Sequence, residues 1–170
     1  MKHLTLLLAT ALTAIVSSCA AINQMNAEEA AEAAIYVEEA LQNQNLNIEV
    51  TYVSPARGRS FPSTDGYYLR IQDGVVNSYL PFFGESHASI VYGVDPTGIE
   101  FKDCPVELYD NGSKPEKGRY SWKFHAMSGK EPVIVYVTFF QNGSAQISCN
   151  PTNRSAMNYS GELRPMPEKK

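Results

Sequence analysis

The sequence is poor in cysteine, histidine and clustered positive charge, and each shortage excludes a class of protein. It has 3 Cys, 3 His and 1 Trp among 170 residues, and no Cys-x-x-Cys pair. Zinc ribbons and dithiol redox centres are therefore excluded. The formal net charge is −4, and the sequence has no dense cluster of Lys and Arg. A nucleic-acid binder would concentrate them on one surface, so we expect no nucleic-acid partner.

Motifs for catalysis are also missing. The chain has no Gly-x-Ser-x-Gly elbow and no glycine-rich phosphate loop. His87 and His125 lie beyond the N-terminal apolar run, and their spacing does not indicate a serine triad. Four aspartates lie near glycine or proline, which is typical of turns rather than of metal sites: Asp65, Asp73, Asp95 and Asp103. We therefore expect no enzyme activity, no metal and no cofactor.

The first 18 residues are typical of a removable export signal. The apolar run at residues 4–16 is too short to span a membrane, and small residues follow it up to Cys19. This is the pattern of a lipobox, in which signal peptidase II cleaves before the cysteine and lipid is attached to it. Two or three acyl chains would give stable membrane anchoring. We predict a signal peptide at 1–18 and a lipidated tether at 19–25.

Residues 26–164 are enough for one domain with its own core, followed by a flexible tail at 165–170. Export would place this domain in an oxidising compartment, where Cys104 and Cys149 could pair in only one way. Both cysteines fall on the apolar phase of predicted strands. A buried disulfide and two inert core thiols therefore remain open.

Residues Asn26–Gln42 form the one strong helix candidate. Asn26 can cap the helix, and Glu29 completes a capping-box pattern. No basic residue occurs between Cys19 and Ala56, so anionic lipid headgroups would repel this acidic segment. We expect the following residues to form the buried face: Ala27, Ala30, Ala34, Val37 and Leu41.

From Asn47 onward the pattern changes to short strands with tight turns. Asp73-Gly74 is a strong two-residue hairpin signal, and Ser128–Glu131 marks another hairpin. The predicted strands are Ile48–Val53, Tyr67–Gln72, Val75–Leu80, Ile99–Lys102, Val106–Tyr109, Arg119–Met127, Val133–Phe140, Ser144–Asn150 and Asn158–Leu163. We predict an α+β fold, mainly β. One N-terminal helix packs on an antiparallel meander that closes into a sandwich or partial barrel.

Strand phase also predicts a register. Trp122 lies on the apolar face of its strand, and a four-residue loop at 128–131 places Val137 on the same face. A three-residue turn with Gly143 as a left-handed bulge would keep Ile147 on that face too. We favour this turn over a two-residue turn at Asn142-Gly143, because a slip of one residue would turn Ile147 outward. The opposite face is expected to seat the helix through Ile134, Tyr136 and Phe140.

Two segments are candidate surfaces. The aromatic run at 79–84 could form the lip of an apolar groove, a partner-binding patch, or a plug that seals one end of the sheet. Within it, we expect Phe82 to be more exposed and Phe83, next to Gly84, to be more structural. The second surface is basic and comprises Arg57-Gly58-Arg59 and Asn153-Arg154-Ser155. These arginines could hold an anion bidentately, or they could simply be solvated.

Seven segments of the chain are distinctive when they are taken together: Gly58-Arg59-Ser60, Tyr67-Tyr68-Leu69, Leu80-Pro81-Phe82-Phe83-Gly84, Gly98-Ile99-Glu100-Phe101, Asn142-Gly143-Ser144-Ala145, Asn153-Arg154-Ser155 and Tyr159-Ser160-Gly161. They resemble a functionally uncharacterised family of small lipoproteins from Bacteroides-type gut bacteria, catalogued as domain of unknown function number 4251. The resemblance covers Val53 to Leu163. The family more often has tyrosine at the position of Phe82. The resemblance implies an envelope lipoprotein, and it implies no reaction and no catalytic residues.

In that bacterial group, export to the cell surface usually goes with acidic residues just after the lipidated cysteine. Residues 20–24 contain none. We therefore expect the periplasmic face of the outer membrane, with lipid on Cys19 as the membrane contact.

The functional hypothesis is a non-catalytic binding module for an apolar or peptide-like ligand. Its candidate surface residues are Tyr79, Phe82, Phe83, Arg59 and Arg154. The first alternative is a structural or assembly lipoprotein that binds another envelope protein. The second alternative is a hydrolase that uses His87 or His125.

Overall fold

The computed structural model describes residues 28–63, 66–86 and 98–167. Several predicted features lie outside the described residues: the signal peptide, the tether with Cys19, Asn26, Ala27, Asp65, His87 and Asp95. The chain divides into two compact units, Met1–Glu32 and Ala33–Lys170. Of the first unit only residues 28–32 are described, and they are helical and exposed. The sheet belongs entirely to the second unit.

One helix, α1, occupies residues 28–43 and is followed by short strands. The strands are β1 (Leu46–Pro55), β2 (Phe61–Pro62), β3 (Tyr68–Gln72), β4 (Val75–Pro81), β5 (Gly98–Pro105), β6 (Tyr109–Asp110), β7 (Arg119–Ser128), β8 (Glu131–Phe140), β9 (Ser144–Pro151) and β10 (Met157–Leu163). A short 3₁₀ helix, Pro115–Lys117, lies between β6 and β7. Of the helices in the described ranges, none is both long and apolar enough to cross a bilayer.

The ten described strands form one antiparallel sheet in the order β5-β4-β3-β1-β10-β9-β8-β7-β6, with β2 paired to β1. Buried and exposed residues alternate along β8, β9 and β10, as they do in a sheet with one covered face. The inward residues form a single core cluster. Its largest fully buried members are Tyr159, Phe101, Phe124, Phe139, Leu46, Ile48, Leu69, Ile71, Leu80, Ile99, Ile147 and Met157.

The sheet curls into a half-barrel, which decides between the two predicted architectures. Strands β5 and β7 lie near opposite ends of the sheet order, yet two bonds join them. The Glu100 amide donates to Ser128 Oγ at 3.2 Å, and Cys104 Sγ donates to the Met127 carbonyl at 3.4 Å. The mainly β, α+β prediction is confirmed in its partial-barrel form, and the sandwich alternative is not the fold observed.

The predicted hairpins are confirmed. Asp73 and Gly74 both have positive φ, 52° and 73°, as a two-residue type I′ turn requires. At the other hairpin Ser128 pairs with Glu131. The loop is therefore the two residues between them rather than the four that we predicted. The prediction of which side chains face inward is still correct, because loops of two and of four residues place the same residues of β8 on that face.

The register prediction at Gly143 is also confirmed. Gly143 has φ 80° and its amide bonds the Phe140 carbonyl at 2.9 Å, which closes a three-residue turn. Val137 pairs with Trp122 on one side and with Ile147 on the other. All three side chains therefore share the inward face, and each is buried.

Helix α1 forms where predicted and buries Val37 as expected, but the prediction is wrong for the other described residues of that face. Leu41 is 41% exposed, and Ala30 and Ala34 are exposed as well. The residues that are buried or half-buried are Ala33, Tyr36, Val37, Glu39 and Ala40. The helix is rotated about its axis relative to the prediction, so that Ala33 lies against the loop that contains Gly143. A Cβ on Gly143 would come within 2.9 Å of the Ala33 Cβ.

The predicted seat of the helix is wrong too. Val37 and Ala40 belong to the same cluster as the inward residues of the sheet, so α1 covers the inner face. On the outer face, the side chains predicted to receive it are half-buried: Ile134, Tyr136 and Phe140.

The predicted strand Val106–Tyr109 is wrong, since only Tyr109–Asp110 is extended. Strand β5 continues instead to Pro105 through a bulge at Asp103, which has φ 46°. Two bonds with the Asn77 side chain hold this bulge: the Asp103 amide donates to Asn77 Oδ1 at 2.9 Å, and Asn77 Nδ2 donates to Asp103 Oδ1 at 3.1 Å. Such a bulge uses an extra residue and shifts where the strand ends.

Candidate functional site

The aromatic run at 79–84 divides between the core and the solvent. Leu80 is fully buried and Phe82 is 7% exposed, whereas Tyr79 is 45% and Phe83 56% exposed. We predicted the opposite for the two phenylalanines, and that prediction is wrong. The segment leaves β4 after Pro81, where strand alternation no longer decides which side chain faces inward.

Phe82 is buried because Arg154 covers it. The Arg154 guanidinium carbon lies 4.6 Å from the centre of the Phe82 ring, within range of a cation–π contact. The same guanidinium donates through Nε to Glu131 Oε2 at 2.7 Å and through Nη1 to the Gly98 carbonyl at 2.8 Å. Side-chain exposures of 4% and 1% make Arg154 and Glu131 a buried ion pair.

This pair corrects the prediction for Arg154, which is neither solvated nor an open anion holder. Glu131 begins β8 and Gly98 begins β5, so one arginine connects two strands through the loop that follows β9. The other oxygen of Glu131 accepts the Asn153 amide at 2.9 Å. We call these residues, Arg154, Glu131, Gly98 and Phe82, the clamp. Sequence analysis missed Glu131, although it lies in phase with the buried Val133.

A thiol and a phenol lie beside the clamp. Burial raises the pKa of Cys149 to about 12, and the positive charge of Arg154 opposes this rise. Burial also raises the pKa of Tyr159, whose hydroxyl donates to the Pro81 carbonyl at 2.9 Å. Cys104 and Cys149 are both free. Of the two alternatives left open by the sequence, the structure therefore has thiols and not the disulfide.

The segment after Phe82 is bonded to the loop that carries Arg154. The Glu85 amide donates to Ser155 Oγ, and the Ser155 amide donates to the Glu85 carbonyl, both at 2.9 Å. A Cβ on Gly84 would lie 2.1 Å from Ser155 Oγ and 2.8 Å from the Phe82 ring. Only glycine fits at position 84, which keeps the two segments in contact.

A cavity of about 260 Å³ opens beside this contact. Its walls are formed by Ala56, Arg57, Phe83, Gly84, Glu85 and Ser155, and we call it the Phe83 pocket. The Phe83 ring is backed edge-on by Phe61, with ring centres 4.9 Å apart and planes at 81°. Arg57 Nη1 lies 3.8 Å from Glu85 Oε2, and the two side chains are 87% and 67% exposed.

The structure thus brings together part of each predicted surface. Phe83 from the aromatic run and Arg57 from the basic loop line the same cavity. Glu85 and Ser155 line it too, and neither was predicted from the sequence as a site residue. Arg59 is exposed but does not line the pocket. Tyr79 lies elsewhere, with its ring 5.4 Å from that of Tyr67.

Of the residues considered for catalysis or metal binding, the structure describes His125, Asp73 and Asp103, and these three form no common cluster. His125 is exposed on the outer face of β7, opposite Ile134. Within residues 28–63, 66–86 and 98–167, no three metal-binding side chains lie close enough to share an ion.

Comparison with known proteins identifies a family. The profile of the family described as "Domain of unknown function (DUF4251)" matches residues 28–163. Among solved structures, a DUF4251 family protein from Bacteroides eggerthii has a similar fold, with a TM-score of 0.58 and 20% sequence identity. The alignment covers 80% of this chain and 91% of that one. No curated protein matches the chain.

Proposed function

The chain belongs to the DUF4251 family, whose function is unknown, and from this premise we propose that it is a lipid-anchored binding module of the bacterial envelope without catalytic activity. The observation that carries the proposal is the Phe83 pocket. An aromatic ring that is 56% exposed is held by Phe61 at the edge of a cavity with polar groups on its other walls. Ligand sites combine apolar surface with convergent polar groups, and this pocket has both.

The walls of the pocket favour a peptide-like ligand over a purely apolar one. Phe83 and Ala56 offer apolar surface, while Arg57 and Glu85 offer charges of opposite sign. A cavity of about 260 Å³ is also smaller than the roughly 300–1,000 Å³ of pockets for drug-sized ligands. It therefore suits one amino-acid residue better than a long lipid chain.

The test is a titration of the ¹⁵N-labelled full chain in nanodiscs with short acetylated peptides that carry Phe, Leu or Ala. We expect amide shifts at Gly84, Glu85 and Ser155 with the Phe and Leu peptides, and loss of these shifts in Phe83→Ala. Tyr79→Ala is the matched control, because Tyr79 is similarly exposed but lies outside the pocket. If no peptide moves these amides in the wild type, the pocket is not the binding site.

We propose that Cys19 carries the lipid and that the protein faces the periplasm from the outer membrane. The apolar run at 4–16 followed by Cys19, and the lack of acid at 20–24, support this location. Globomycin should cause precursor to accumulate, and Cys19→Ala should abolish membrane fractionation. External protease should spare the protein in intact cells. A soluble wild-type protein with a free N-terminus would contradict the anchor, and cleavage in intact cells would contradict the periplasmic face.

A second candidate function, attachment to another envelope protein, is favoured by exposed tyrosines on the outer face of the sheet. Tyr52 on β1 is 51% exposed and Tyr79 on β4 is 45% exposed. Exposed tyrosines are common at protein interfaces because they bury a large area with little loss of entropy. This alternative predicts that Tyr52→Ala/Tyr79→Ala abolishes co-purification with a partner, while Phe83→Ala does not.

A further inference from the structure

The charged pair at the Phe83 pocket is arranged so that a ligand can replace one of its members. Arg57 Nη1 and Glu85 Oε2 are 3.8 Å apart, which is too long for a hydrogen bond. Both side chains are largely exposed, so the pair is screened by water and contributes little to folding. A ligand carboxylate could therefore displace Glu85 from the Arg57 guanidinium with little loss of folding free energy.

Several features favour a carboxylate over a phosphate as the ligand's anionic group. Arginine binds a carboxylate through two parallel N–H bonds, and Glu85 already presents a carboxylate to Arg57. Glu85 remains in the wall of the pocket and would repel a dianionic phosphate more than a monoanion. Ser155 Oγ accepts a hydrogen bond from the Glu85 amide, so the Ser155 hydroxyl can still donate a hydrogen bond to a ligand oxygen.

The size of the pocket favours the end of a peptide chain over its middle. In an extended peptide, neighbouring side chains point to opposite faces, so an internal acid and the apolar residue beside it would not enter together. At a C-terminal residue, the α-carboxylate and the side chain are attached to the same Cα. One residue can then reach both Arg57 and Phe83, which line the same cavity of about 260 Å³.

We propose that the Phe83 pocket binds the C-terminal residue of a peptide. Its free carboxylate replaces Glu85 at Arg57 and accepts a hydrogen bond from the Ser155 hydroxyl, and its apolar side chain lies against Phe83. The inference rests on the proposed binding function and adds the free carboxylate as the feature that is recognised.

The test compares two N-terminally fluoresceinated tripeptides, Gly-Ala-Phe with a free C-terminus and the same peptide as its C-terminal amide. Binding to the full chain in nanodiscs is measured by fluorescence anisotropy, with empty nanodiscs as the background. We expect the free acid to bind at least about tenfold more tightly than the amide. Arg57→Ala should remove this difference, and Arg59→Ala, a matched change in the same loop, should preserve it.

The substitution Glu85→Gln tests whether Glu85 competes with the ligand for Arg57 or instead holds Arg57 in position. If Glu85 competes with the ligand for Arg57, the substitution tightens binding of the acid by about threefold or more and leaves the amide unchanged. If Glu85 merely holds Arg57 in position, the substitution weakens binding of the acid, and the proposed exchange is wrong.

The outcomes distinguish this inference from the proposed function. Equal, Phe83-dependent binding of acid and amide would overturn the carboxylate inference and leave the binding function intact. Failure of both peptides to bind would contradict the inference and, together with absent shifts at Gly84 and Ser155, the binding function as well. Displacement of the tripeptide by sodium decanoate at a lower concentration than by unlabelled acetyl-Ala-Phe would assign the site to fatty acids and overturn the peptide proposal.

Discussion

Two Arg–Glu pairs each have one member on a pair of contacting segments, Glu85 on 82–86 and Arg154 on 153–155, and their environments differ completely. In the clamp, Arg154 and Glu131 are 2.7 Å apart with side-chain exposures of 4% and 1%. At the Phe83 pocket, Arg57 and Glu85 are 3.8 Å apart with exposures of 87% and 67%. The same two residue types thus form a fixed connection in one place and an open site in the other.

The comparison shows that burial, and not residue type, determines whether an Arg–Glu pair is a fixed connection or an exposed pair that can exchange partners. The buried charges of the clamp have no water to replace a lost partner, so the pair must remain intact. The exposed charges at the pocket are hydrated in any case, so either one is free to exchange its partner. The clamp therefore holds the wall in which the pocket is formed.

The largest effect should come from breaking the clamp on one side. Arg154→Ala leaves Glu131 buried without its counter-charge, which should cost about 3–5 kcal/mol of unfolding free energy. Urea denaturation followed by circular dichroism measures it. The control is Arg154→Met/Glu131→Leu, which removes both charges and should recover much of the loss. A cost below about 1 kcal/mol for Arg154→Ala would show that the clamp does not hold the fold.

The two adjacent phenylalanines give a second contrast. Phe82→Ala should cost about 3–5 kcal/mol, because it leaves a cavity beneath Arg154. Phe83→Ala should cost less than about 1 kcal/mol, because its ring is mostly exposed. Thermal melts of both variants measure the difference. Equal losses would mean that Phe83 seals the sheet end as Phe82 does, and the lip interpretation would be wrong.

Alkaline pH should lower the unfolding free energy through Cys149, the buried thiol beside the clamp. Because burial raises the pKa of Cys149 from 9.0 to about 12, the unfolded chain binds fewer protons than the folded one in this range. Stability should therefore be constant below about pH 9 as far as this group is concerned, and fall as pH rises towards 12. The slope from one such group is at most about 1.4 kcal/mol per pH unit.

The control for this pH effect is Cys149→Ala, which should flatten the slope between pH 9 and 10. Tyr159 should retain a further decrease at higher pH, since its pKa is also raised by burial. Urea midpoints at pH 8, 9 and 10 measure the effect. An unchanged slope in Cys149→Ala would contradict the assignment to this thiol.

The sheet was predictable because its rules are local. The alternation of apolar and polar residues at 120–126, the parity of the loop at 128–131 and the glycine at 143 were enough to place Trp122, Val137 and Ile147 on one face. The dipeptide Asp73-Gly74 was enough to predict the turn between β3 and β4. In each case, neighbours in sequence supply the constraint, either the two-residue period or a positive φ.

The site was only partly predictable because its contacts are distant in sequence. Phe82 is buried by Arg154, a residue of another loop, and nothing next to Phe82 indicates this. The helix face likewise depends on Ala33 meeting Gly143. One signal was available: Glu131 lies in phase with the buried Val133, and a buried acid needs a buried base.

The most direct test compares Arg57→Ala with Arg154→Ala in the same two assays, urea denaturation and binding of the free-acid tripeptide. Arg57→Ala should change the unfolding free energy by less than about 0.5 kcal/mol and weaken binding at least about tenfold. Arg154→Ala should lower stability by several kcal/mol. If Arg57→Ala destabilised the fold as Arg154→Ala does, or left tripeptide binding unchanged, the division between clamp and open site would be contradicted.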